Sequence, residues 1–306
     1  MIFQTHSNGK LLLSGEYLVL TGAKALAIPL KLGQSLSVET APVDGLFWES
    51  IYDDSLWFWA HFTPTLQIID SSDITKASTI ATILKTALYQ AQINEGYFHN
   101  LHIRSKLDFH PDWGWGSSST LIYNIAQWLK IDAFKLSSAT LGGSNYDIAC
   151  AGSSGPIYYQ LNTDDIKIES APFHPSFAQN LLFVYLGKKQ NSRLSSKHFL
   201  KLKKYKTSHI QRITEISEQM ANSFDLNNFL LLMDEHEQII SYATSQTPVK
   251  QLYFSDFNGS IKSLGAWGGD FILAASNESI DYSINFFKTK GYSVLFKYDE
   301  IILNNQ

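Results

Sequence analysis

One short passage constrains this chain more than any other: Pro111-Asp112-Trp113-Gly114-Trp115-Gly116-Ser117-Ser118-Ser119-Thr120. Before it, residues 101–109 alternate apolar and polar side chains as a strand does. After it, residues 121–129 form an apolar run of helical character. The passage therefore reads as a turn from strand to helix. Its two glycines let the backbone bend sharply and approach a ligand without a Cβ in the way. Three serines and a threonine then stand where the helix begins, beside backbone N–H groups that have no partner within the helix. A helix N-terminus carries partial positive charge, so such a place suits a phosphate, and its hydroxyls suit a Mg²⁺ ion bridging phosphate oxygens. The same residues also suit a plain serine cap after a glycine turn, which needs only one hydroxyl. The passage is not a Walker A loop, and Ser119 stands where the dinucleotide fingerprint would need its third glycine.

The rest of the sequence is that of an ordinary globular protein. Of 306 residues, 44% are apolar and 17% charged, enough for one large domain or two of about 150 residues. A net charge of −4 lacks the basic footprint of a nucleic-acid binder. Lys201, Lys203, Lys204 and Lys206 read as a solvated helix face. Cys150 is the only cysteine; it sits in an apolar run and reads as a small buried residue in a reducing compartment. The first residues lack the pattern of a signal peptide, and no apolar run approaches the roughly 18 residues of a membrane helix. The expectation is a soluble, cytoplasmic protein with neither nucleic acid nor membrane as partner.

The patterns predict an α+β chain. Residues 46–62 read as two strands about a turn at Asp53-Asp54-Ser55, and residues 74–93 as a helix. Residues 181–186 and 271–275 read as apolar strands. Residues 196–222, 226–244 and 280–290 read as helices. A change of character past residue 170 suggests two α+β domains, 1–170 and 171–306, joined near residues 162–178.

Three glycine-bearing passages lie in order along the chain. Gly9-Lys10-Leu11-Leu12-Leu13-Ser14-Gly15-Glu16-Tyr17 resembles the first motif of the GHMP kinases, the superfamily of galactokinase and the homoserine, mevalonate and phosphomevalonate kinases. The passage from Pro111 to Ser119 resembles their second, phosphate-binding motif. Leu264-Gly265-Ala266-Trp267-Gly268-Gly269-Asp270 is similar to their third. The resemblance implies an N-terminal α+β domain and a C-terminal ferredoxin-like α+β domain with the active site between them. It implies an enzyme that moves the γ-phosphoryl of ATP, with Mg²⁺, to a small anionic acceptor, acting as a monomer or homodimer. Lys10 matches the lysine facing the reacting phosphoryl, and Asp147 the catalytic aspartate of mevalonate-type members. Gly114, Trp115, Gly116, Ser117, Ser118 and Ser119 match nucleotide-binding positions, with Ser118 toward the metal. Glu16, Tyr17, Lys188, Ser192, Arg193, Gly265, Ala266, Gly268 and Gly269 fall at acceptor-side positions. Glu16-Tyr17 and Asp147-Ile148-Ala149 resemble phosphomevalonate kinases more than mevalonate kinases. A decarboxylase of diphosphomevalonate, a sugar kinase and a catalytically silent ligand-binding homologue remain alternatives.

The chain departs from the family pattern in places. Trp115 stands where leucine or isoleucine is usual, and Trp267 and Asn145 where glycine is usual. Between Thr120 and Asp147 the only acidic residue is Asp132, so a metal-binding glutamate has no evident counterpart. His236 and Glu237 adjoin on a predicted helix without the second histidine of a zinc motif, and read as a solvated face.

Overall fold

A computed structural model describes residues 1–94, 96–162, 165–188 and 192–304, the side chains of Ser192 and Arg193 excepted. Its contacts divide the chain into two compact units, each drawn from several stretches. One comprises Met1–Gly9, Leu32–Pro111 and Trp115–Gly152; the other comprises Lys10–Lys31, Asp112–Gly114 and Ser153–Gln306.

In the first unit the strands are the beginning of β1 (Phe3–Ser14), the second half of β2 (Ala25–Thr40), β3 (Leu46–Tyr52), β4 (Ser55–Phe62) and β5 (Ile68–Ser71). Helix α1 (Ile74–Ala91) leads to β6 (Leu101–Leu107), followed by α2 (Ser117–Leu129), α3 (Ala133–Thr140) and α4 (Tyr146–Ala151). The sheet runs β5-β4-β3-β6-β2, with β3 and β6 parallel and the other pairs antiparallel. Asp53 and Asp54 take positive φ, 49° and 53°, as a tight two-residue hairpin turn between β3 and β4 requires. The helices bury apolar stripes against one face of this sheet. Ala77, Ile80, Leu84 and Leu88 of α1 join Ile122, Ile125 and Leu129 of α2 over Val38, Trp48, Phe58 and Ile103.

In the second unit β7 (Ile157–Leu161) pairs with Ala25–Ala27 of β2 and with β8 (Ile166–Ser170). Strand β9 (Leu181–Tyr185) is followed by α5 (Ser192–Leu202), α6 (Thr207–Ala221), α7 (Leu226–Thr244) and α8 (Val249–Tyr253). Then come β10 (Ser260–Leu264), β11 (Phe271–Ala275), α9 (Ile280–Thr289), β12 (Leu295–Lys297) and α10 (Tyr298–Ile301). The four strands order as β12-β9-β11-β10, all antiparallel. With helices after the first and third strands, this is the ferredoxin-like arrangement. Leu182, Val184, Ile261, Ile272 and Ala274 form its core with Phe254, Phe257 and Phe287.

Two expectations need correction here. The single helix read over residues 196–222 is two helices, α5 and α6. Lys203 takes a left-handed conformation, φ 51°, which ends α5, so the lysine run marks a break between helices and not one continuous face. His236 and Glu237 are not solvated: they are 0% and 3% exposed. They belong to the buried stripe Phe229, Leu232, Met233, His236, Glu237, Ile240 on α7, whose three- and four-residue spacing continues through them.

Candidate functional site

The first turn of α2 is built from Gly116-Ser117-Ser118-Ser119-Thr120. Asp73 and Asp132 cap α1 and α3 by accepting two backbone N–H bonds each. At α2 the cap position is Gly116, φ 95°, and no side chain caps it. The leading N–H groups of this 13-residue helix are therefore left without a side-chain acceptor. The four hydroxyls divide into two kinds. Ser119 and Thr120 are buried and turn inward: both donate to the Gly116 carbonyl, at 2.9 and 3.0 Å, and Thr120 donates to Gln34 Oε1 at 2.6 Å. Gln34 in turn donates to Ser105 Oγ at 2.6 Å, and its carbonyl accepts from Asn124 Nδ2 at 2.8 Å. This buried net fixes the first two turns of α2 to β2 and β6. Ser117 is half-buried and Ser118 exposed, so their hydroxyls stand at the surface of the turn.

Trp115 is turned inward. It is 1% exposed and meets Phe109 edge-on, centroids 5.8 Å apart, as part of the core of its unit. The departure at Asn145 is also explained. Asn145 takes φ 62°, a left-handed conformation that glycine adopts freely and asparagine tolerates better than most residues. Its buried amide accepts from Ser137 Oγ at 2.7 Å and donates to Ser138 Oγ at 3.0 Å. It leads directly into α4, whose first turn carries Asp147, half-buried.

In the second unit Lys10 is half-buried on β1. Beyond the end of β1 the chain turns sharply. Gly15 has φ 91° and Tyr17 has φ 61° with ψ −47°, a region that costs a bulky side chain about 1–3 kcal/mol. Glu16 is turned inward: its side chain is 0% exposed and receives the Lys262 ammonium. Burial pushes the Glu16 carboxyl up, but Lys262 and His236 beside it together outweigh that and hold it below its ordinary range. Tyr17 is buried too, and its hydroxyl accepts the Trp267 N–H at 3.1 Å. Trp267, 3% exposed, thus stands inside the third glycine passage, its indole N–H without a hydrogen-bond partner among the described residues.

Gly265 and Gly268, at φ 70° and 82°, turn this passage, and Ala266 between them is buried. At its end the Asp270 N–H donates to the Lys188 carbonyl at 2.6 Å. The Lys188 ammonium lies 4.9 Å from the centre of the Tyr253 ring. Gly114 packs so closely on Asp270 that a Cβ there would sit 2.5 Å from its carboxylate oxygen. Trp113, next to it, lies against Tyr185, Phe271 and Phe296. Cys150 is buried. The side chains of Ser192 and Arg193 lie outside the described ones, as does Lys189.

No family model matches the sequence, and no curated protein matches it. Solved structures do match, nearly end to end. The mevalonate kinase of Methanococcus jannaschii is 14% identical, with a TM-score of 0.72 over 99% of this chain and 98% of that one. A phosphomevalonate kinase of Streptococcus pneumoniae, in complex with phosphomevalonate and AMPPNP, is 15% identical, with a TM-score of 0.71 over 96% and 99%. The chain has the fold of the GHMP kinases. A third example is the L. major mevalonate kinase in complex with R-mevalonate, 16% identical with a TM-score of 0.72 over 99% and 96%. At such low identity the likeness concerns the fold, and function rests on the residues above. Among the described residues no helix is long and apolar enough to cross a membrane.

Proposed function

We propose that this chain is an ATP-dependent kinase that transfers the γ-phosphoryl group to a small anionic acceptor, phosphomevalonate before mevalonate. The observation that carries the reading is the start of α2: a glycine in the cap position, no capping side chain, and Ser117 and Ser118 at the surface. Such a terminus offers backbone donors and a positive dipole end to the phosphates of a nucleotide. The Gln34 net keeps it rigid before any ligand arrives, which is what phosphoryl transfer by positioning and electrostatics asks of a protein. Ser118 fits a hydroxyl ligand for the Mg²⁺ that accompanies ATP. Mg²⁺ would neutralise charge on the phosphate oxygens. Asp147 would orient and deprotonate the acceptor oxygen, and Lys10 would stabilise charge on the transferred group. Lys188, beside the third glycine passage, would attract the anionic end of the acceptor. Phosphomevalonate comes first because Glu16-Tyr17 and Asp147-Ile148-Ala149 resemble phosphomevalonate kinases, and because one such enzyme shares the fold. A cytoplasmic setting accords with the single buried cysteine.

An ADP-release assay over mevalonate, phosphomevalonate, diphosphomevalonate, homoserine, galactose and heptose phosphates tests the reading. Turnover with phosphomevalonate, reduced about 100-fold or more by Asp147→Asn, is expected. ATP binding without turnover on any acceptor would favour a ligand-binding homologue, and absence of ATP binding would end the reading.

A further inference from the structure

Behind the turn at Gly15–Tyr17 lies a buried group of four ionisable side chains that the proposed chemistry does not use. Glu16, His236, Glu237 and Lys262 come from the end of β1, from α7 and from β10, and all are 3% exposed or less. Lys262 Nζ donates to Glu16 Oε1 and to the Ser263 carbonyl, the latter at 2.9 Å. His236 Nε2 meets both the Gly15 N–H and the Glu16 carboxylate, each at 3.0 Å. Ser263 Oγ donates to Glu237 Oε2 at 3.4 Å. Glu16 Oε2 lies 3.0 Å from His236 Nε2, while two polar atoms of the group, His236 Nδ1 and Glu237 Oε1, have no hydrogen-bond partner among the described residues. An apolar packing of the same volume would be cheaper, since buried ion pairs rarely recover their desolvation and unmatched buried polar atoms add to the cost. The group is therefore better explained by what it holds than by stability. It holds the two residues that precede a strained one: Gly15 through His236, and Glu16 through Lys262, while Tyr17 carries the φ of 61° and its hydroxyl receives the Trp267 backbone N–H.

We propose that Glu237, acting with His236 and Lys262, is a positioning residue. In its neutral form it leaves Lys262 paired with Glu16, and so keeps the Tyr17 hydroxyl under the backbone of the third glycine passage. Its consequence for turnover rests on the kinase reading, whereas its consequence for the loop does not. The charged groups around Glu237 explain the sensitivity. Glu16 faces it from the β1 turn, Lys262 from β10, and His236 and Asp234 stand on its own helix. Lys250 of α8 lines the same shallow hollow, its ammonium on the Gly259 carbonyl. From α6, Arg212 is held by Glu215 and Glu235, and the chain after α5 reaches α7 at its cap through Lys204 and Ser245. Burial pushes the Glu237 carboxyl up to about 8, and burial followed by Lys262 pushes His236 down to about 4. At neutral pH the group thus holds one carboxylate, one ammonium, one neutral imidazole and one carboxylic acid. Ionising Glu237 adds a second carboxylate that competes with Glu16 for the single ammonium.

The test is fluorine NMR of the full chain labelled with 5-fluorotryptophan, the Trp267 signal being assigned by Trp267→Phe. That signal is expected to shift with a midpoint near pH 8 in the wild type, and not in Glu237→Gln. Ser263→Ala, which removes a donor from the ionised carboxylate, should move the midpoint upward. In the ADP-release assay the wild type should lose about tenfold of its kcat between pH 7 and pH 9, and Glu237→Gln should not. A Trp267 signal indifferent to pH in the wild type, or titrating identically in Glu237→Gln, overturns the proposal. If Glu237→Gln does not fold, the wild-type titration and the Ser263→Ala displacement decide it. Loss of turnover on every acceptor with the fluorine titration intact would remove the kinase reading and leave the positioning role standing.

Discussion

Single residues account for the positions where this chain departs from the motifs it resembles. Trp115 occupies a core position beside Phe109, so its bulk serves packing. Trp115→Ala should therefore lower the free energy of unfolding by about 3–5 kcal/mol, measured by urea titration, with Trp115→Leu costing clearly less. Asn145 replaces glycine at no great cost because its backbone is left-handed and its amide is satisfied twice. Both substitutions were legible in the sequence as departures, but their reasons were not. Burial and φ are properties of the fold, and no spacing of residues announces them. His236 and Glu237 teach the opposite lesson. Their positions on the apolar stripe of α7 were visible in the sequence, and polarity alone argued for a solvated face. The stripe won because residues distant in sequence supply partners: Gly15 and Glu16 meet His236, and Ser263 donates to Glu237.

Elements were legible where one periodicity ran without interruption. α7 spans Leu226–Thr244, the whole of the expected range, and α1 closely follows its predicted run. Asp225 caps α7 by accepting from Asn227 and Asn228 N–H. Asp225→Ala should cost about 1 kcal/mol of stability, read as a lower midpoint in thermal or urea unfolding. α2 differs because its cap is glycine, which leaves its leading donors for something outside the helix. The break between α5 and α6 escaped the sequence reading because lysines favour helices almost as well as alanine does. Only the left-handed Lys203 reveals the end of α5.

At the scale of the whole molecule, the glycine passages indicated the fold that solved kinases share, although identity is only 14–16% across the three compared. The order β12-β9-β11-β10 is the one that the expected ferredoxin-like domain implies, although residue patterns alone do not give it, since strand order depends on pairings between distant segments. Stability should carry a signature of the buried group. The folded chain keeps the Glu237 proton up to about pH 8, whereas an unfolded carboxyl loses it near 4.5, so stability falls as pH rises through that window. His236 acts oppositely between about 4 and 6.5, where the unfolded ring is protonated and the folded one is not. The net decline therefore lies between about pH 6.5 and 8, and urea midpoints of Glu237→Gln should lack it. The central claim remains phosphoryl transfer from ATP at the start of α2. Phosphorus NMR of the protein with Mg·ATP and phosphomevalonate tests it most directly. The account predicts ADP and a new diphosphate ester rising together, with both suppressed in Asp147→Asn. Bound ATP that stays intact, or ADP rising with inorganic phosphate alone, would contradict it.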